Sequence, residues 1–299
     1  MRYESRGVAA SQPQEWTIES VLRWATDDFR GRGIDSPRLD AEILLGRALS
    51  CSRIQLIADA KRQLEAEELA RFRELVKRRR AREPIAYILG EREFYGRTFR
   101  VDRRVLVPRP DTETLVDVAL QRTARRAMSM RVLDLCTGSG CVALTLARER
   151  PTTLVYAADL SAEALAVARD NALRLGAYNV AFREGDLFAA VGGAPRFDLI
   201  TANPPYIAAG EIASLQAEVR DHEPRLALEG GADGLDVVRR LVGEAPAHLA
   251  PEGTLAVEIG FGEAEATAAI FSEAGLDEVE IKRDYGRVER VVSGVLRTR

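Results

Sequence analysis

Between residues 131 and 202 short apolar runs alternate with helical patterns, and that alternation admits few folds. Residues 131–135 (Arg-Val-Leu-Asp-Leu), 154–158 (Leu-Val-Tyr-Ala-Ala), 179–183 and 197–202 (Phe-Asp-Leu-Ile-Thr-Ala) read as strands, short and rich in β-favouring residues. Helices are expected from Cys141 onward and over 162–175. Strands that alternate with helices are joined by crossovers, so a mostly parallel open α/β sheet follows. Further on, 234–249 reads as a helix and 254–259 as a strand. Strands at 278–282 and 288–294 are joined across Asp284-Tyr285-Gly286, a link short enough to make them antiparallel.

In open α/β sheets ligands bind beyond the carboxyl ends of the strands. Four successive strand ends here carry a ligand-type feature. The first is Cys136-Thr137-Gly138-Ser139-Gly140. Its glycines tolerate positive φ and close approach of a ligand, and the helix behind offers free N–H groups to an anion. The second is Asp159, about 20 residues beyond that turn, where a βαβ unit puts a ribose-binding carboxylate. The third is Gly185-Asp186-Leu187, a polar edge and an apolar face suited to adenine. A glycine turn with an acid after it fits nucleotide cofactors in general. Asp134 reads equally well as a helix-capping or strand-end carboxylate.

The fourth is Asn203-Pro204-Pro205-Tyr206. Two prolines stiffen the loop, and the residue before a proline is held extended. The Asn203 side-chain oxygen and the Pro204 carbonyl then form a rigid pair of acceptors beside the Tyr206 ring. Such a pair suits a planar NH2 group, either an amide or the exocyclic amine of a base. Taken alone, the tetrapeptide is equally a strand followed by a proline-rich turn.

The motifs in this order resemble those of class I S-adenosylmethionine-dependent methyltransferases, and the Asn-Pro-Pro-Tyr loop is similar to that of enzymes methylating amide or amino nitrogens. More specifically, the chain resembles the HemK/PrmC family. The resemblance extends through Glu83-Pro84-Ile85-Ala86-Tyr87-Ile88-Leu89-Gly90, Glu93-Phe94-Tyr95-Gly96 and Val107-Pro108-Arg109-Pro110-Asp111-Thr112-Glu113. It continues in Glu218-Val219-Arg220, Glu223-Pro224-Arg225, Gly230-Gly231, Asp233-Gly234-Leu235 and Arg283-Asp284-Tyr285-Gly286. It implies a seven-stranded, mostly parallel sheet with the last strand reversed, an N-terminal helical bundle and a β-hairpin linker. It implies that S-adenosylmethionine lies across Asp134, Cys136, Thr137, Gly138, Ser139 and Gly140, with Asp159, Asp186, Leu187 and Asn203 completing its site. The substrate amide would meet Asn203, Pro204, Pro205 and Tyr206, with Asn203, Pro204 and Tyr206 in the catalytic role. The products would be S-adenosylhomocysteine and N5-methylglutamine in the Gly-Gly-Gln motif of a class I peptide chain release factor, with no metal. Many family members have Gly at position 136. The run Cys136 to Cys141 also looks like a sister family that methylates a glutamine of a large-subunit ribosomal protein. The segments at 108–113 and 283–286 are closer to the release-factor branch.

The remaining sequence sets the organisation. Residues 1–14 have no apolar core and read as a loose tail. Residues 15–83 read as a helical domain for docking the substrate, 84–107 as a linker with a hairpin turning at Tyr95-Gly96, and 108–299 as the methyltransferase domain. In the helical domain, Thr17 is expected to cap a helix with Ile18, Val21, Leu22, Ala25 and Phe29 on one face. Ser36-Pro37 opens a second helix, and 65–82 a third. The basic run 77–82 reads as a solvated helix end beside the negative pole, with contact to an acidic protein or RNA as the alternative. A net charge of −3 gives no general nucleic-acid footprint, and no apolar run reaches membrane-spanning length. Cys51, Cys136 and Cys141 lack metal-ligand spacing and fit a reducing cytoplasm. The resemblance implies a protein partner, a class I release factor, and charge and hydropathy add no expectation of membrane or direct nucleic-acid binding. Methylation of the ribosomal-protein glutamine or of a nucleic-acid amine, and a non-enzymatic nucleotide-binding module, are the competing readings.

Overall fold

The computed structural model describes residues 16–125 and 129–297, so the expected tail at 1–14 lies outside the described residues. The chain divides into two compact units, the first running to Ile88 and the second starting at Leu89.

The first unit is helical: α1 (Ile18–Gly31), α2 (Pro37–Leu49), α3 (Arg53–Ala58), α4 (Ala66–Arg80) and α5 (Ile85–Leu89), whose last residue crosses the boundary. Thr17 caps α1 as expected: its hydroxyl accepts from the Ser20 N–H at 3.2 Å, and the Ser20 hydroxyl accepts from the Thr17 N–H at 2.9 Å. Ser36 makes no side-chain cap bond, so Pro37 alone marks the start of α2. The core joins Ile18, Val21 and Phe29 of α1 to Leu44 and Leu45 of α2 and to Phe72 and Val76 of α4.

The basic run is not a solvated helix end. Arg79 is 5% exposed and donates to Asp40 at 2.7 Å. Arg80 forks onto Asp28 at 2.7 and 2.8 Å and lies over the Trp24 ring. Arg78 pairs with Glu83 and also donates to the carbonyls of Tyr87 and Ile88. Arg82, at φ 64° beyond the end of α4, donates to the Arg32 and Gly33 carbonyls. These cations tie α4 to the rest of its unit.

The second unit opens with the hairpin β1 (Glu91–Phe94) and β2 (Arg97–Arg100). Tyr95 and Gly96 both take positive φ (50° and 67°), as a tight two-residue hairpin turn requires. The sheet follows: α6 (Glu113–Arg122), β3 (Arg131–Leu135), α7 (Cys141–Glu149), β4 (Leu154–Asp159), α8 (Ala162–Leu175), β5 (Val180–Glu184), β6 (Phe197–Ala202), α9 (Ala217–Arg220), α10 (Asp236–His248), β7 (Leu249–Glu258), α11 (Ala264–Glu273), β8 (Asp277–Arg283) and β9 (Glu289–Val295). The strand order is β5-β4-β3-β6-β7-β9-β8, and β9 alone runs against its neighbours. Successive strand residues point to opposite faces. Leu133, Ile200 and Val257 pack with Val238 and Leu241 of α10 and Phe271 of α11. Val132, Leu199 and Ala256 pack with Leu115 of α6, Val142 and Leu146 of α7, and Phe94 and Phe99 of the hairpin.

Asn171 of α8, fully buried, joins the hairpin to the turn after β3. Its oxygen accepts the Arg100 N–H at 2.7 Å, and its amide donates to the Arg100 carbonyl at 3.0 Å and the Ser139 carbonyl at 2.9 Å. Among the described residues no helix is long and apolar enough to cross a membrane.

Candidate active site

Strand order reverses around β3, with β4 on one side and β6 on the other. A crevice opens at such a switch point. Leu135 pairs with Ala202, and Ala202 with Val257, so the next residues along, Cys136, Asn203 and Glu258, stand side by side.

The turn after β3 is built for close backbone approach. Cys136, Gly138 and Gly140 take φ of 56°, 54° and 81°. Cys136 therefore occupies a left-handed position that glycine fills without strain. A Cβ on Gly140 would come within 3.0 Å of Leu144 and 3.2 Å of Ala168. Asp134, 1% exposed, braces the turn, accepting from the Thr137 hydroxyl at 2.6 Å and the Thr201 hydroxyl at 2.7 Å. Burial pushes its carboxyl up to about 6, against the pull of those hydroxyls and the Ala143 N–H. Asp159 accepts the Gly138 N–H at 2.8 Å and the Ser161 N–H at 2.9 Å. Burial raises its pKa, and the backbone donors oppose the rise.

These groups surround a cavity of about 300 Å³. Asp134, Cys136, Thr137, Gly138 and Ser139 form one wall, Asp159, Asp186 and Leu187 another, and Asn203 and Pro205 a third. Gly140, Pro204 and Tyr206 are not on the wall. Asp186 is ion-paired with Arg240 of α10 at 2.7 Å. Thr112 and Arg109, not singled out in the sequence as site residues, also line the cavity.

Thr112 closes a single 3₁₀ turn (Pro110–Thr112), and its hydroxyl accepts from the Asn203 amide nitrogen at 3.4 Å. That bond turns the Asn203 nitrogen inward and leaves its oxygen for another donor. Three of the segments that carried the family resemblance, around 107–113, 223–235 and 283–286, are tied to this loop or to one another. Ile207 donates to the Leu228 carbonyl at 2.9 Å, and Gly230 donates to the Ile207 carbonyl at 2.8 Å. A Cβ on Gly230 would sit 2.7 Å from the Pro205 oxygen, 2.8 Å from Tyr206 Cα and 2.4 Å from the Gly234 oxygen. Arg109 pairs with the buried Glu223 at 2.6 Å, and Arg290 pairs with both Asp111 and Asp284 at 3.3 Å. Burial raises the Tyr206 phenol well above its usual pKa, Glu258 adding to the rise and Arg290 and Arg109 opposing it.

A doubly wound seven-stranded sheet with a reversed last strand, carrying a cavity between a glycine turn and an Asn-Pro-Pro-Tyr loop, defines a class I methyltransferase. The comparisons with known proteins agree. The family profile described as the PrmC N-terminal domain matches residues 20–90, and that of the methyltransferase small domain matches 112–230. A release factor glutamine methyltransferase of Geobacter sulfurreducens is 44% identical over 283 residues, covering 95% of this chain and 98% of its own. One from Cereibacter sphaeroides is 45% identical over 277 residues, covering 92% and 97%. The solved structure of a T. thermophilus 16S rRNA N2 G1207 methyltransferase shares the fold at a TM-score of 0.51 and 18% identity, over 69% of this chain and 50% of its own. This chain belongs to the release factor glutamine methyltransferase family. Its reaction is methylation of a protein glutamine.

Proposed function

We propose that this enzyme transfers the methyl group of S-adenosylmethionine to the side-chain amide nitrogen of the glutamine in the Gly-Gly-Gln motif of class I release factors. The product is N5-methylglutamine, and the modification tunes translation termination. The observation that carries the reading is Asn203 on the cavity wall, its amide nitrogen held by Thr112 so that its oxygen is left to accept.

The cavity fits the donor on two grounds. The left-handed turn at 136–140 brings backbone close to a ligand, and Gly138 meets no heavy atom within 4 Å where a Cβ would stand. Asp159 and Asp186 border the same space, as ribose and adenine partners would, with Leu187 supplying an apolar face. When bound, the donor supplies a methyl on a cationic sulfur. A primary amide nitrogen is a poor nucleophile because its lone pair is delocalised, and its N–H is too weak an acid for a general base to help much. The chain's task is then alignment and charge placement. Asn203 Oδ1 and the Pro204 carbonyl accept the two amide N–H bonds and aim the nitrogen along the line of the departing sulfur. The N–CH3 bond forms as the S–CH3 bond breaks, and sulfur keeps the electron pair. The two acceptors favour the positive charge growing on nitrogen. The proton leaves afterwards. Tyr206 bounds the acceptor loop and helps exclude water.

Asp159→Ala removes a charge-assisted partner of the ribose and is expected to weaken donor binding by about 10–100-fold, or about 1.5–3 kcal/mol. Titration calorimetry with S-adenosylmethionine reads this directly, and unchanged affinity would take Asp159 out of the donor site.

The substrate is checked by incubating the enzyme with donor and purified release factor and mapping the methyl by mass spectrometry. The expected mark is on the Gly-Gly-Gln glutamine, and none after its change to Ala. A short Gly-Gly-Gln peptide should be methylated far less efficiently than the factor, because a few loop residues bury too little surface for a stable complex. The helical unit is our candidate for the remote contact: Trp24, Ile54 and Ile57 are exposed there, Ile54 to 79%. Labelling of the ribosomal protein or of nucleic acid, with the factor untouched, would move the assignment.

A further inference from the structure

Glu258 is the last residue of β7, one step beyond the Ala202–Val257 pair and so level with Asn203, and it is 1% exposed. Among the described residues its Oε2 meets no hydrogen-bond donor. Sequestering a carboxylate with an oxygen unmet costs several kcal/mol in general, so such a group calls for an explanation. The other buried acids of this site have their donors: Asp134 two hydroxyls, Asp159 two N–H groups, Glu223 the Arg109 guanidinium and the Val107 N–H. Glu258 has instead the Thr112 hydroxyl near it, the same hydroxyl that holds the Asn203 amide at 3.4 Å. Thr112 is itself 1% exposed, so solvent does not compete for that hydroxyl.

We infer that Glu258 is a positioning residue for methyl transfer, fixing through the Thr112 hydroxyl which way the Asn203 amide faces. The inference rests on Asn203 gripping the substrate amide. Thr112 has one proton and two lone pairs to give. When Glu258 is ionised it accepts a hydrogen bond from the Thr112 hydroxyl. The Thr112 lone pairs then accept the Asn203 N–H, and the Asn203 oxygen faces the substrate. When Glu258 is protonated it donates to Thr112 instead. The Thr112 proton is then free to go to the Asn203 oxygen, which turns the amide over. An NH2 group would then face the substrate NH2, donor against donor, and the grip is lost.

The active form is thus the ionised one, so methyl transfer rises with pH and levels off above the pKa of Glu258. Burial pushes that pKa up to about 7, with Asp111 adding to the rise and the Thr112 hydroxyl, Arg290 and Arg109 opposing it. Those groups, Tyr206 and Cys141 are the charged and titratable neighbours, from the 109–112 turn, from β9, from the loop after β6 and from the start of α7, and burial pushes the Cys141 thiol up to about 12, outside the range of interest. Arginine stays charged throughout this range, and the Tyr206 phenol is raised away from it. Asp134, pushed up to about 6, braces the donor turn, so its titration enters through donor affinity.

The test is single-turnover methyl transfer to the intact release factor at saturating donor, from about pH 5.5 to 9, spanning the histidine-to-cysteine range of ordinary pKa values. Wild type should show one inflection at or slightly below the Glu258 value, since the cationic donor favours the ionised acid. Glu258→Gln should lose the inflection and transfer about 10-fold more slowly on the plateau, with donor affinity within about 2-fold of wild type. Thr112→Val should fall by about 100-fold, and Thr112→Ser should recover to within a few-fold, which a purely structural role for the threonine methyl would not give. A persisting inflection in Glu258→Gln, or Thr112→Ser as impaired as Thr112→Val, overturns the inference. If Glu258→Gln does not fold, the wild-type profile and the Thr112 pair decide. An Asn203→Ala variant that transfers at the wild-type rate would remove the grip itself. A slow Asn203→Ala beside an unaltered Glu258→Gln profile removes only the role of Glu258.

Discussion

Asn203→Ala is expected to slow methyl transfer by about 10²–10³-fold while leaving donor affinity within a few-fold, the scale of losing one preorganised polar partner of a reacting group. In free-energy terms that is about 2.7–4 kcal/mol off the transition state. The expectation follows from how the side chain is held. Its nitrogen is committed to Thr112, so its oxygen is presented in one orientation before substrate arrives. The wall proposed to meet the donor is formed mainly by the turn after β3 and the ends of β4 and β5, which the substitution does not touch. Single-turnover kinetics at saturating donor, beside calorimetry of donor binding, separates the two effects. Asn203→Asp is the finer probe, because it keeps an acceptor but loses the N–H that Thr112 holds and adds a charge next to a cationic donor. Wild-type single-turnover rates in Asn203→Ala would refute the proposed grip.

Gly230→Ala should be nearly as damaging, although residue 230 lies outside the cavity wall. The new methyl would stand closer than van der Waals contact to three backbone atoms, the Pro205 oxygen, Tyr206 Cα and the Gly234 oxygen. Backbone cannot rotate out of the way as a side chain tip can, so the Asn-Pro-Pro-Tyr loop itself has to shift. Overpacking of this kind costs about 1–3 kcal/mol of stability, and a displacement of about 1 Å at a reacting geometry costs about 10²-fold in rate. Thermal unfolding and the methyl-transfer rate should therefore both respond. A variant with a lowered melting temperature and full activity would show that the strap over 228–231 supports the fold without aligning the loop.

How much of this could be read from the chain depends on how local each signal is. The four strand ends were legible because each apolar run stops at a mark within a few residues: a glycine turn after β3 and β5, an acid and a helix cap after β4, and two prolines after β6. The hairpin was legible for the same reason, from Tyr95-Gly96. Thr112 and Glu258 left no such mark. Glu258 reads as one more residue of an apolar strand, and only the pairing of β6 with β7 brings it beside Asn203. The 53–58 helix was missed because two of its three large apolar side chains, Ile54 and Ile57, face solvent, leaving no apolar stripe to count. The basic run was misread because the acids that absorb it are remote: Asp40 is 39 residues from Arg79, and Asp28 is 52 from Arg80. A run of charge in sequence says nothing of which distant carboxylates will fold against it.

Asn171 makes the hairpin and the donor turn one mechanical part. Its three hydrogen bonds reach two backbone segments that approach from different sides of α8. A change at residue 171 would therefore reach the hairpin and the turn after β3 at once. Aspartate would match its shape but would set a carboxylate against two carbonyl oxygens. Leucine would fill the space and cut both tethers. One side-chain amide thus sets the spacing of two chain segments that lie 71 and 32 residues from it in sequence.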